Sequence, residues 1–162
     1  LKVKGKKGME SVDDAPPELI DVGRVGQVTK INTGVLESLS RNDFIPVIAP
    51  VGVGDDGQAF NINADLVAGA IAGALVAEKL MLLTDVPGVK NKAGDLISSL
   101  PQGELEALID DGTIVGGMIP KVRCCQEALR RGVAKTNIVD GRMEHSILLE
   151  MFTREGVGTE IF

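Results

Sequence analysis

Lys121 stands where a cation is out of place. The string Gly116-Gly117-Met118-Ile119-Pro120-Lys121-Val122 leads into a helix expected to run through Arg131, with Pro120 in its first turn. A helix N-terminus already carries partial positive charge, so a lysine there is unfavourable unless the site collects an anion such as phosphate. Gly116 and Gly117 would let backbone N–H groups approach the same anion. A solvated surface lysine fits the same residues equally well. Asp65 opens another helix, after Asn61-Ile62-Asn63-Ala64. On the bare sequence an acid there reads as an N-terminal charge or cap before it reads as a catalytic group. Asn61 and Asn63 read as turn residues. Asp85-Val86-Pro87-Gly88 follows a short apolar strand and reads as a turn at its carboxyl end.

The inventory removes several other chemistries. Neither Gly-x-x-x-x-Gly-Lys-Ser/Thr nor Gly-x-Gly-x-x-Gly occurs, so a phosphate site would be of another design. One His, His145, cannot assemble a zinc cluster from the usual ligands, and no metal ligand is assigned. Two Cys, adjacent at Cys124 and Cys125, give no disulfide framework; they read as core packing inside a helix and suit a reducing cytoplasm. With 17 Lys+Arg against 23 Asp+Glu the formal net charge is −6, which disfavours nucleic acid as a partner. Trp and Tyr are absent and Phe numbers four, so the stacking platforms that hold single strands are missing too. The longest largely apolar stretch, residues 64–77, falls short of the ~20 residues of a bilayer span. The leading residues show no apolar signal-peptide core. No membrane partner is expected.

The elements that must carry these groups can be read in order. Lys2, Lys4, Lys6 and Lys7 lead a solvated strand and loop that passes through Pro16-Pro17. Residues 20–30 alternate like an antiparallel strand, and 33–41 have the helical period, with Val35, Leu36 and Leu39 on one face. Phe44-Ile45-Pro46-Val47-Ile48-Ala49 reads as a buried strand, with Pro46 arguing against a central position. Residues 51–62 read as a hairpin turning at Asp56-Gly57. The helix after Asp65 is apolar nearly all round, and Gly69 and Gly73 leave a strip for close approach. Residues 80–83 form a second buried strand. A helix over 101–111 ends at Gly112. The helix through Arg131 is capped by Gly132. Ile138-Val139 is a further strand, 143–152 a last helix, and Gly156-Val157-Gly158-Thr159 turns into a terminal strand.

This alternation argues for an α/β protein: a three-layer α/β/α sandwich on a mainly parallel sheet. Ligands in such sheets sit beyond the carboxyl ends of the strands. Residues 61–65, 84–88 and 113–121 are therefore expected to meet on one edge.

Taken together in this order, Asn61-Ile62-Asn63-Ala64-Asp65, Leu82-Leu83-Thr84-Asp85-Val86-Pro87-Gly88-Val89 and Gly116-Gly117-Met118-Ile119-Pro120-Lys121-Val122 resemble the amino-acid kinase family. Within it they are most similar to the members that act on N-acetyl-L-glutamate. Residues 44–53, Val139-Asp140-Gly141-Arg142, the 145–150 string and Gly156-Val157-Gly158-Thr159 extend the likeness over 18–162. The resemblance implies that 1–162 is the C-terminal, nucleotide-binding portion, without the N-terminal half that carries a phosphate-binding Lys, Gly-rich loops and a substrate-gripping Arg. It implies ATP-dependent phosphorylation of the side-chain carboxylate of N-acetyl-L-glutamate, an acyl-phosphate-forming step of arginine biosynthesis, in the cytoplasm. The alternatives are a catalytically incomplete nucleotide-binding or regulatory fragment, or another member of the family.

The residue roles implied by the resemblance are specific. Lys121 matches a transition-state-stabilising lysine, and Asp65 an aspartate that orients two catalytic lysines. Asn61 matches a contact to bound substrate, with Asn63 close by. Asp85, Val86, Pro87, Gly88, Val89 and Lys90, with Thr113, Ile114 and Val115, match nucleotide-lining stretches, flanked by Gly117 and Met118. Mg²⁺ would be held mainly through phosphates and water. Glu150 and Gly156 match part of an L-arginine site in arginine-inhibited members, where Asn137 stands in place of a histidine found in some of them. The full-length relatives form homo-oligomers, and some have a PII signalling partner.

Overall fold

The computed structural model describes residues 2–6 and 23–162. The expected loop through Pro16-Pro17 lies outside the described residues. The chain divides into two compact units, Leu1–Ile71 and Ala72–Phe162.

In the first unit, β1 (Lys2–Lys6) pairs antiparallel with β2 (Val25–Lys30), matching the alternation read from the sequence. Helix α1 (Thr33–Arg41) follows, its N-terminus capped by Asn32, whose Oδ1 accepts the Gly34 N–H at 3.2 Å. Strands β3 (Val51–Gly54) and β4 (Ala59–Asn61) form the expected hairpin. Its turn holds Gly57 at φ +76°. Strand β1 runs parallel to β3, and β2 meets β4 at Val25 and Asn61, so the four strands close in the order β1-β2-β4-β3. Ile62 and Val67 are buried here, with Val28, Phe60 and Ile71 packed against them. Helix α2 (Ala64–Ala74) starts in this unit.

The buried strand expected over 44–49 does not form. Residues 44–49 have no regular structure, and Ile45 and Val47 are 91% and 97% exposed. Pro46 has no N–H to donate to a ladder, and no described strand lies alongside to pair with the segment. Strand-like side chains without a neighbouring edge leave the backbone solvated.

The second unit is built on a four-stranded sheet in the order β5-β7-β8-β6. Strands β5 (Lys79–Thr84) and β7 (Lys135–Asp140) run parallel. Strand β8 (Thr159–Ile161) returns antiparallel to β7 and parallel to the short β6 (Ser99–Leu100). Residues 136–140 of β7 are all buried, so both faces of this strand are covered. A single 3-10 turn, Gln102–Glu104, leads into α3 (Leu105–Asp110), and α4 (Met118–Arg130) and α5 (Ser146–Phe152) complete the unit. Cys124 and Cys125 are buried in α4, as their core reading required. Val122, Ile138 and Val139 are fully buried, each contributing roughly 1.5–3 kcal/mol by removal from water. The close-approach strip on α2 is used at Gly73, where an added Cβ would come within 2.8 Å of the Arg131 side chain. Among the described residues no helix is long and apolar enough to cross a membrane.

Candidate functional site

The parallel pair β5 and β7 is in register from Lys79–Lys135 to Thr84–Asp140, so both strands end at one level. The chain leaves that edge through two adjacent loops. The Gly141 N–H donates to the Thr84 carbonyl at 2.8 Å. Arg142 then folds back on Asp140, donating from Nε to Oδ1 at 3.0 Å and from Nη2 to Oδ2 at 2.9 Å; its backbone N–H also donates to Oδ1. These bonds and the guanidinium charge hold the Asp140 carboxyl down at about 2, against the opposing effect of burial. Arg142 is raised in turn, chiefly by Asp140, with a smaller contribution from the charge of Asp85 on the neighbouring loop. Sequence reasoning assigned this pair no role. The available signal was an acid closing a strand with an arginine two residues on.

The loop after β5 holds the residues matched to a nucleotide-lining stretch. Asp85, Val86 and Lys90 are exposed, Pro87 is half-buried, and Gly88 and Val89 are buried. The buried pair therefore shapes the loop from beneath, while the exposed residues face outward. Beyond it, Lys90 bridges Leu96 across a turn that begins at Asn91, whose Oδ1 accepts the Ala93 and Asp95 N–H groups at 2.9 Å.

Lys92 reaches from that turn to Asp111, Nζ to Oδ2 at 3.2 Å. This ion pair spans the two regions that adjoin the matched stretches 85–90 and 113–118. Both partners are solvated, so it adds little stability. Asp111 accepts the Thr113 N–H at 2.9 Å. Its carboxyl is held below the usual range by the Thr113 hydroxyl first, the Thr113 N–H next, and Lys92. Ile114 is 1% exposed and anchors the stretch in the core, whereas Val115 is 62% exposed. Gly116 and Gly117 follow, and a Cβ added at either would meet nothing within 4 Å. Gly117 is the N-cap of α4, and no side chain caps that terminus. Lys121 sits half-buried in the helix's first turn. The Met118 and Ile119 N–H groups donate to the Val115 and Gly116 carbonyls at 3.2 Å, and Pro120 has none to offer, so the uncrowded backbone beside the lysine is that of Gly116 and Gly117. Among the described residues no group of three or more His, Cys, Asp or Glu could hold a metal ion.

The other matched residues lie in the first unit. Asn61 closes β4 and is exposed. Asn63 caps α2: its Oδ1 accepts the Asp65 N–H at 2.9 Å and the Leu66 N–H at 3.2 Å. Asp65 is half-buried in the first turn, where its charge complements the helix dipole.

Glu150 differs from a solvated helix acid. It is 8% exposed, and both its oxygens are engaged: Oε1 accepts from Asn137 Nδ2 at 2.6 Å, and Oε2 accepts the Val157 and Gly158 N–H groups at 2.7 and 3.0 Å. Gly156, at φ +63°, lies against this carboxylate.

An α/β unit with charged loops beyond the carboxyl ends of its parallel strands has the arrangement in which such folds place their ligands. The chain belongs to the amino acid kinase family, whose family model matches residues 5–140. It is 76% identical over 151 residues to an acetylglutamate kinase of Desulfotalea psychrophila, covering 93% of this chain and 51% of that protein. Among solved structures it is similar to N-acetylglutamate synthase from Neisseria gonorrhoeae complexed with coenzyme A and L-arginine, at TM-score 0.82 and 27% identity, covering 99% of this chain and 37% of that one. Carbamate kinase from Giardia lamblia bound to AMP-PNP shares the fold at TM-score 0.68 and 23% identity, with 96% of this chain and 52% of that one covered. The chain spans about half the length of the curated relatives it matches.

Proposed function

We propose that this chain is the C-terminal, nucleotide-binding portion of an enzyme that transfers the γ-phosphoryl group of MgATP to the side-chain carboxylate of N-acetyl-L-glutamate, a step of arginine biosynthesis. The observation that carries the reading is the 76% identity over 151 residues to an acetylglutamate kinase; the Lys92–Asp111 ion pair, between residues that adjoin the 85–90 loop and the 113–118 stretch, is consistent with it. The high identity to an acetylglutamate kinase supports the substrate.

A carboxylate attacking a polyanion needs positive charge at the transferring group more than it needs a general base. Lys121 supplies that charge, helped by the backbone at Gly116 and Gly117, where no side chain stands in the way. Asp65 orients the lysines, an anion between two cations reducing their repulsion. Asn61 contacts the substrate. Asn63 uses its oxygen on the helix and has its amide NH₂ for the same ligand. Asp85, Val86, Pro87 and Lys90, with Thr113 and Val115, line the nucleotide, while the buried Gly88, Val89 and Ile114 shape those stretches from beneath. Mg²⁺, held through phosphates and water, neutralises charge on the phosphate chain when bound.

The regulatory part of the reading gives Glu150 and Gly156 an L-arginine contact in the full-length protein; bidentate pairing with a guanidinium would require Glu150 to exchange the Asn137 and 157–158 bonds that hold it. A PII partner, a homo-oligomeric assembly and a cytoplasmic location belong to the same reading.

The test is an ATP- and N-acetyl-L-glutamate-dependent hydroxamate assay on the full-length polypeptide. Acyl phosphate formed from both substrates supports the reading; no product in a folded protein that binds ATP rejects the transfer step. The second reading, a nucleotide-binding fragment, is favoured by the half-length coverage of the relatives. It requires that this chain alone bind ATP and form no product.

A further inference from the structure

The 85–90 loop is fastened from beneath by one side chain that lies 70 residues away. Thr159 in β8 is fully buried, and its Oγ1 accepts the Val89 N–H at 2.9 Å. Val89 is itself 1% exposed, so this N–H has no water to turn to if the hydroxyl is lost. The Val89 carbonyl accepts the Ile97 N–H at 2.8 Å. Val89 is thus the fixed point between the exposed loop and the turn that carries Lys92.

Gly88 shows how close the seating is. Its φ is +148°, and a Cβ there would lie 2.5 Å from Thr159 Oγ1 and 3.2 Å from the Thr159 nitrogen. The loop backbone therefore rests directly on Thr159.

Thr159 is held from its other side. A Cβ on Gly158 would collide with the Ile138 carbonyl in the centre of the sheet, so only glycine lets this strand approach β7 so closely. The Glu150 carboxylate gathers the Val157 and Gly158 N–H groups and is itself fixed by Asn137. A continuous set of hydrogen bonds and backbone contacts runs from α5 through 157–159 to the loop.

We propose that Thr159 is a positioning residue for nucleotide binding, setting the 85–90 loop through its hydroxyl, with Glu150 fixing Thr159 in place. The proposal rests on the reading of 85–90 as a nucleotide contact. Thr159→Val keeps the shape and removes the acceptor, whereas Thr159→Ser keeps the acceptor.

The test compares the full-length wild type with T159V, T159S and E150Q, measuring ATP affinity by calorimetry and amide exchange of the 85–97 peptide without ATP. In T159V the loop exchanges faster and the Kd for ATP rises about tenfold, as expected for a lost buried acceptor. T159S stays within about twofold of wild type in both measurements, and E150Q moves both in the direction of T159V. A T159V protein that exchanges faster yet binds ATP as wild type overturns the positioning role alone. T159S behaving like T159V overturns the assignment to the hydroxyl. A folded wild type that binds no ATP overturns the nucleotide reading, and this proposal with it.

Discussion

Arg142 grips Asp140 through two parallel hydrogen bonds of 2.9 and 3.0 Å at the end of β7. This pair gives the carboxyl edge its clearest pH signature. Asp140 titrates at about 2, below its ordinary 3.8. Its folded value is lowered, so its contribution to stability is complete above the unfolded pKa. That contribution is lost as pH falls from about 4 towards 2. The Asp140 carboxyl resonance in NMR is expected to titrate near the lower value, and Arg142→Gln to move the midpoint upward. The stability deficit of Arg142→Gln should be full at neutral pH and shrink over that acid window. An unmoved midpoint would show that Arg142 is not what holds the carboxyl down.

Lys121→Ala in the full-length polypeptide should lower kcat by ~10²-fold or more while ATP affinity changes much less, because its charge matters most where charge develops in transfer. Steady-state kinetics and ATP calorimetry on one preparation check this. Near-normal turnover would remove Lys121 from the chemistry.

Asn63 has two roles that substitution can separate. Asn63→Ala removes the cap of α2 and should cost about 1 kcal/mol of stability in urea unfolding. Asn63→Ser restores the cap, because a hydroxyl also accepts from the first-turn N–H groups. If the amide NH₂ also contacts substrate, the serine variant regains stability but keeps a raised KM for N-acetyl-L-glutamate. Full recovery of KM would leave Asn63 as a cap alone. Asp65→Asn in parallel should depress kcat through misplaced lysines; an unchanged rate would make Asp65 a first-turn acid only.

Ile45 and Val47 are almost fully exposed in an apolar run. Replacing both with Lys should shift the unfolding free energy of this chain by no more than ~0.5 kcal/mol per site. The same change should reduce self-association, since exposed strand-like segments pair with one another. Sedimentation velocity of the wild type and the double variant checks the second point.

Much of the second unit was legible because its signals are local. The period of α4, the closing Gly112 and Gly132, and the apolar runs of β5 and β7 each lie within a few residues of what they specify. Asn63 reads as a turn residue in the sequence but caps α2 in the structure, although an Asn just ahead of a helix carries that signal. Residues 44–49 misled because strand propensity describes fitness for a sheet edge and says nothing of whether an edge is there. The two-residue β6 is too short for any period. Glu150 on α5 carries the pattern of a solvated acid, and its burial depends on Asn137 and the 157–158 backbone coming to it from two other segments. The Lys92–Asp111 pair and the Thr159–Val89 bond are likewise products of tertiary packing, joining residues that carry no mark of each other in the chain.

Gly88 lies flat on Thr159, with no room for even a methyl group between them. On the proposed nucleotide reading, ligand preference in this loop has little freedom to be adjusted at its buried floor. Retuning is confined to the outward positions Asp85, Val86 and Lys90, where side chains can be exchanged without lifting the backbone off its seat. An engineer wishing to alter what the loop accepts would begin with those three and leave the floor untouched.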